Sequence, residues 1–159
     1  MSGARVVVLG CGNPGRGDDA LGPLLLERVA RWAEVHPEAD VQLVGDYQLQ
    51  IEHALDLEGR DLALFVDATV DGVEPCALEE VVPGRDASWT THALSPGAVL
   101  HVFNLGRGEA PPPAVVLAVR GYAFELGAGL SEGAAANLEA GWAVIERWLE
   151  GCAVQRASG

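Results

Sequence analysis

The sequence predicts an α/β fold, a three-layer α/β/α sandwich around a mostly parallel, twisted five-stranded sheet with one antiparallel edge strand, of the phosphorylase/hydrolase-like kind. Three observations carry this. Short apolar runs alternate with longer amphipathic stretches along the 159 residues, which is the pattern of successive βα units. The run Leu62-Ala63-Leu64-Phe65-Val66 is unbroken in hydrophobicity, as in a strand buried on both faces. The link from that run to residues 76–82 holds an Asp71-Gly72 turn and Pro75 but no room for a crossover helix, so the strand it reaches runs antiparallel at an edge.

The remaining elements follow in order. Residues 5–9 form the first strand, and residues 21–34 a helix in which Leu21, Leu24, Leu25, Val29 and Trp32 recur at helical spacing while Glu27, Arg28, Arg31 and Glu34 face away. Residues 41–44 form the second strand, 50–57 a short helix closed by Gly59, and 62–66 the third strand. After the fourth strand, residues 83–91 read as loop. Ser95 caps a helix over 96–104 with Pro96 in its first turn, 106–113 are loop, and 114–119 form the fifth strand. Ser131 caps the last helix, with Glu132 in the first turn and Leu138, Trp142, Ile145 and Leu149 as its buried stripe. Residues 1–151 make one domain, and the small, polar residues 152–159 are expected to fray as a tail.

Composition narrows the function. The net charge of -13 opposes attraction to phosphate backbones or anionic lipid, so neither a nucleic acid nor a membrane is expected as partner. No segment approaches a membrane span, and the opening MSGARVVVLG reads as a buried strand rather than a secretion signal. Cys11, Cys76 and Cys152 are odd in number and form no CxxC pair, which suggests neither a disulfide framework nor zinc and fits a cytoplasmic setting. Cys11 has no basic partner nearby in sequence and reads as a small buried residue.

Residues 8–22, VLGCGNPGRGDDALG, raise two readings. Gly10, Gly12 and Gly15 match GxGxxG directly after a strand, the place for a dinucleotide loop. Pro14 removes one backbone donor, Asp18 and Asp19 put negative charge where a pyrophosphate would sit, and Asp46 lies farther on than the ~20 residues at which a ribose-binding acid is expected. Asp18 and Asp19 serve either as helix cap and dipole partner or as part of a site. Asp67 closes the most buried strand, where open α/β sheets bind ligands, and His92 lies in the polar loop Ser88-Trp89-Thr90-Thr91-His92. Carboxylates and an imidazole converging on one crevice suit a divalent metal ion.

GNPGRGDDALG after the first strand, VDA closing the third and TTHALSP before a helix together resemble the [NiFe]-hydrogenase maturation endopeptidases, which remove a C-terminal extension from the hydrogenase large-subunit precursor. The motifs span about the first hundred residues. The resemblance implies Asp19, Asp67 and His92 as metal ligands, acting on nickel carried by the precursor, with no tightly bound cofactor of the protein's own. Residues 121–127, Leu130-Ser131 and Asn137-Leu138 look like the branch that processes NAD-reducing hydrogenases. Where many relatives carry Asp-Gly-Gly-Thr, this chain has Asp46-Tyr47-Gln48-Leu49. Asp46, Tyr47, Gln48 and Asn13 are therefore expected to recognise substrate.

The implied reaction is hydrolysis: nickel polarises a carbonyl toward water, and Asp18 or Asp19 takes the water's proton. A monomer is expected. The other polar residues carry weaker expectations: His36 solvent-exposed, His53 either lining the substrate groove or on the surface, His101 structural within its helix, Glu125 either orienting substrate or forming a surface ion pair. Two rivals have distinct signatures. Peptidyl-tRNA hydrolase shares a similar Gly-x-Gly-Asn-Pro-Gly opening, but this chain continues Asp18-Asp19-Ala20-Leu21 and is acidic. A non-catalytic nickel-dependent maturation chaperone would bind the precursor without shortening it.

Overall fold

The computed structural model describes residues 3–84 and 94–158, with side chains through Cys152. Its elements are β1 (Arg5–Cys11), a 3-10 turn (Gly17–Ala20), α1 (Leu21–Glu34), β2 (Asp40–Asp46), a 3-10 helix (Ile51–Leu57), β3 (Leu62–Thr69), β4 (Cys76–Val81), α2 (Pro96–Arg107), β5 (Ala114–Arg120) and α3 (Glu132–Ser158). The sheet order is β2-β1-β3-β5-β4. β4 alone is antiparallel, pairing with β5.

Strand alternation builds two cores, one on each face of the sheet. Val6 and Val8 of β1 pack with Leu64 and Val66 of β3 against Leu21, Leu25, Val29 and Trp32 of α1 and Ile145 and Leu149 of α3. Val7, Leu9 and Cys11 turn the other way, joining Ala63 and Phe65 against the 3-10 helix and Val99, Leu100 and Phe103 of α2. β3 is therefore apolar from Leu62 to Val66, where it is covered on both sides. The predicted three-layer α/β/α sandwich is the architecture observed.

Boundaries differ from the sequence reading by three residues or more in three places. β3 runs past Val66 to Thr69 because β5 keeps pairing with it, Asp67↔Ala118 through Thr69↔Arg120, after β1 has left at Gly10↔Val66. α2 passes through Gly106 to Arg107 and ends where Gly108 takes the left-handed conformation at φ 67. α3 continues through Gly151 to Ser158. There Cys152 extends the buried stripe of Ile145 and Leu149 at helical spacing, and its carbonyl accepts the Ala4 N–H, contacts that offset the ~1 kcal/mol cost of a glycine inside a helix.

The chain places α1 on one face after β1 and the 3-10 helix on the other after β2. The carboxyl edge between β1 and β3 is therefore a switch point of the kind at which open α/β sheets bind ligands. Among the described residues, no helix is long and apolar enough to cross a membrane.

Candidate active site at the carboxyl edge

The glycines after β1 serve backbone packing. A Cβ on Gly12 would lie 2.0 Å from the Asp19 carbonyl oxygen, and one on Gly17, at φ +56, would lie 2.3 Å from that of Ala123; only glycine fits either place. The loop's N–H groups are consumed internally. Gly12 donates to the Asp46 carbonyl, Asn13 to Asp19 Oδ2, Gly15 to Asn13 Oδ1, Arg16 to the Asn13 carbonyl, Gly17 to Ala128, Asp18 to Ala123 and Asp19 to Arg16. A bound pyrophosphate needs several such donors pointing outward, and this loop has turned them inward, which removes the dinucleotide reading.

Asp18 and Asp19 share a turn but not an environment. Asp18 is fully buried. Its Oδ2 accepts from Tyr122 N at 2.7 Å, Ala123 N at 3.0 Å and Ser131 Oγ at 2.7 Å, and its Oδ1 from Ser131 N at 2.8 Å. Burial pushes the Asp18 carboxyl up, but the donors from Ser131, Ala123 and Tyr122 outweigh it and hold the group below its ordinary value. Neither aspartate caps α1, whose N-cap is Ala20 without a side-chain cap bond. Asp18 instead ties the turn that carries Asp19 to the β5–α3 connection.

Asp19 is half-buried, with Oδ2 held by Asn13 N at 2.7 Å. Asp67 follows the last β1–β3 pair, and its Oδ1 accepts the Ala68 N–H at 2.8 Å. Although solvent reaches Asp67, the surrounding protein displaces enough water to push its carboxyl up to about 7, opposed by the Ala68 N–H and reinforced by the charge of Asp19. Cys11 reports the same negative neighbourhood. Its thiol is pushed up to about 12, first by burial and then by Asp67, Asp46 and Asp19, so it stays protonated and is no nucleophile. The charge of Asp19 thus reaches Asp67 across the β1–β3 crevice. His92 lies outside the described residues, and among those described no group of three or more His, Cys, Asp or Glu is placed to hold a metal ion.

The residues expected to recognise substrate divide. Asp46 and Tyr47 are exposed and line a cleft of ≈ 220 Å³ with Gly10, Gly12, Pro14 and Gly45. Gln48 is half-buried. Asn13 is half-buried and spends its side-chain oxygen on the Gly15 N–H. His53 is not on the surface: it is 5% exposed, with Nδ1 accepting from Gln50 N at 2.7 Å and Nε2 3.3 Å from Asp46 Oδ2. His36 is likewise not free in solvent; its ring stacks on Trp32 at 4.0 Å and its Nδ1 bonds the Trp32 carbonyl. His101 is half-buried in α2, and Glu125 is exposed. The Asp46–His53 pair was missed because the sequence shows only two polar residues seven apart.

No protein-family model and no curated sequence matches the chain. Solved structures do. The crystal structure of a [NiFe] hydrogenase maturation protease HycI from Thermococcus kodakarensis KOD1 superimposes with a TM-score of 0.69 at 25% identity, covering 93% of this chain and 94% of that one. The hydrogenase maturating endopeptidase HybD from E. coli gives 0.67 at 22% identity over 92% of both chains. The [NiFe] hydrogenase maturation protease HybD from Thermococcus kodakarensis gives 0.65 at 18%, covering 91% and 99%. Over more than nine-tenths of its length the chain is similar in fold to hydrogenase maturation proteases.

Proposed function

We propose that this chain is an endopeptidase of [NiFe]-hydrogenase maturation, removing the C-terminal extension of the large-subunit precursor after nickel has been inserted. The observation that carries this is the placing of Asp67 at the carboxyl end of β3, after β1 has left it and within reach of the charge of Asp19, in a fold shared with maturation proteases. The precursor's nickel belongs to the substrate. Asp19, Asp67 and His92 offer it oxygen and imidazole donors, a set nickel accepts.

The chemistry is amide hydrolysis. Water adds to the scissile carbonyl carbon, the C–N bond breaks, and the water's proton passes to the leaving nitrogen. Nickel supplies polarisation of the carbonyl. Asp19, half-buried at the crevice, takes the water's proton. Asp18, sealed in by four donors, is assigned the role of holding Asp19's turn rather than moving protons.

The finer assignments rest on sequence. The segment Gly121-Tyr122-Ala123-Phe124-Glu125-Leu126-Gly127 and the replacement of a glycine-rich turn by Asp46-Tyr47-Gln48-Leu49 support a partner among NAD-reducing hydrogenases. The protein works as a cytoplasmic monomer, and its charge of -13 disfavours tRNA as substrate.

The test incubates the purified protein with nickel-loaded and nickel-free large-subunit precursor of an NAD-reducing hydrogenase and reads the precursor's mass. Loss of the extension from the nickel-loaded form alone, abolished in Asp67→Asn and His92→Ala, is the expected result. Equal cleavage of both forms, or full activity in either variant, overturns the reading; binding without any mass change identifies a chaperone.

A further inference from the structure

His53 is a buried imidazole outside the Asp19–Asp67 pair. Its first nitrogen is accounted for locally: Nδ1 accepts the Gln50 N–H at the start of the 3-10 helix. That bond fixes the tautomer, because a ring whose Nδ1 is an acceptor carries its proton on Nε2. The protonated Nε2 then lies 3.3 Å from Asp46 Oδ2, close enough for electrostatic attraction.

A histidine kept only for packing needs no such second partner. The Asp46 side chain is 41% exposed, so water would satisfy its carboxylate without help. What the contact does is orient. With Oδ2 3.3 Å from the His53 ring nitrogen and Oδ1 accepting the Tyr47 N–H at 2.7 Å, the carboxylate has a polar neighbour on each side at the wall of the cleft formed with Gly10, Gly12, Pro14, Gly45 and Tyr47. Asp46 also faces Cys11 across the β1–β2 register, and its carbonyl takes the Gly12 N–H, so the residue stands beside the loop that carries Asp19. The glycines along the wall let a peptide backbone approach closely.

We propose that His53 is a positioning residue for substrate binding: it holds the Asp46 carboxylate toward the cleft, where Asp46 accepts a hydrogen bond from an N–H donor of the precursor chain. This rests on reading the protein as a protease. An acceptor fixed before binding saves the ordering cost that a free side chain incurs, so the effect falls on affinity for precursor and not on bond cleavage.

Two substitutions separate the two nitrogens. His53→Asn keeps an acceptor for the Gln50 N–H and loses the donor to Asp46, whereas His53→Gln reaches Asp46 with its amide N–H. In cleavage assays on nickel-loaded precursor, His53→Asn should raise KM by roughly 3–10-fold with kcat within about twofold, and His53→Gln should recover most of that loss. In an Asp46→Asn background, His53→Asn should add nothing further. A fall in kcat at unchanged KM, equal impairment of the Asn and Gln variants, or additive effects with Asp46→Asn overturns the proposal. If His53→Asn fails to fold, the ring tautomer of the wild-type protein decides, read from its ¹⁵N shifts. A proton on Nε2 whose signal moves in Asp46→Asn supports the proposal, and a proton on Nδ1 overturns it. Absence of cleavage by the wild-type protein overturns the protease reading itself; cleavage with wild-type KM in His53→Asn overturns only the role of His53.

Discussion

Asp18 and Ser131 are joined twice, the carboxylate accepting the Ser131 N–H at 2.8 Å and its hydroxyl at 2.7 Å. The same hydroxyl accepts from Ala134 N at 3.2 Å, so one serine caps α3 and seals Asp18 together. The backbone runs alongside: Gly17 N donates to Ala128 and Gly127 N to Gly15. The turn bearing Asp19 is therefore held by groups more than a hundred residues further along the chain.

Removing the Asp18 carboxylate should be costly for stability. Asp18→Ala strands the buried donors of Tyr122, Ala123 and Ser131, and a loss of roughly 3 kcal/mol is expected by urea unfolding. Asp18→Asn keeps one acceptor oxygen and should lose less. A cost below ~1 kcal/mol for Asp18→Ala would show that the bonds do not hold the turn.

The same carboxylate predicts an acid limb. Its folded-state value lies below the ordinary one, so as pH falls from ~4 the unfolded chain takes up a proton that the folded chain resists. The stabilisation is complete above that range and is lost as pH drops through the folded value. Stability measured between pH 5 and pH 2 should fall more steeply in the wild type than in Asp18→Asn; equal slopes contradict the assignment.

Asp67 predicts the opposite sign. Its carboxyl is pushed up to about 7, so as pH rises from the unfolded value of ~4 the unfolded chain gives up a proton that the folded chain keeps, and the resulting loss of stability is complete above 7. Asp67→Asn should raise the melting temperature at pH 8 more than at pH 5 while abolishing cleavage. A pH-independent shift in Tm would rule out the strained carboxylate.

Gly17→Ala places a methyl group at φ +56 and 2.3 Å from the Ala123 oxygen. A destabilisation of about 2 kcal/mol or more is expected, with activity falling because the β5–α3 connection must move away from the turn. Calorimetry and the cleavage assay report the two effects separately.

Substrate selection is best tested at Tyr47 and Gln48. Leu49 is 7% exposed, belongs to the core beneath α2, and its carbonyl accepts the Leu94 N–H, so exchanging all of residues 46–49 would damage packing by ~2 kcal/mol or more. Tyr47→Gly with Gln48→Gly leaves that core intact. It should impair processing of an NAD-reducing precursor with little change in Tm, and unchanged processing would remove the segment from partner choice.

The parts of this molecule set by local pattern were legible in its sequence. The apolar runs of β1, β3 and β5, the stripe of α1 and the Ser95 cap, whose hydroxyl accepts from Ala98 N at 3.1 Å, all follow from spacing within a few residues. The placement of Asp67 at a carboxyl edge followed from strand order. Asp18 was legible only as an acid near a helix start, because its donors lie 104 to 113 residues away and no periodicity links them. Gly106 and Gly151 read as stops but lie inside helices, since Phe103 in one case and Cys152 in the other keep the chain packed. Asp46 and His53 meet because a 3-10 helix folds back on the end of β2, a geometry that composition does not encode.

The Asp18–Ser131 clamp also orders events during synthesis. A growing chain displays Asp19 early, yet the groups that fix its turn are translated only with residues 122–131, after β5 has completed the sheet. Until then the Asp18 carboxylate has none of its four partners. Pairings so distant along the chain form late and slowly, so a growing polypeptide holds its acidic turn open and gains a set geometry there only once the β5–α3 connection has been made.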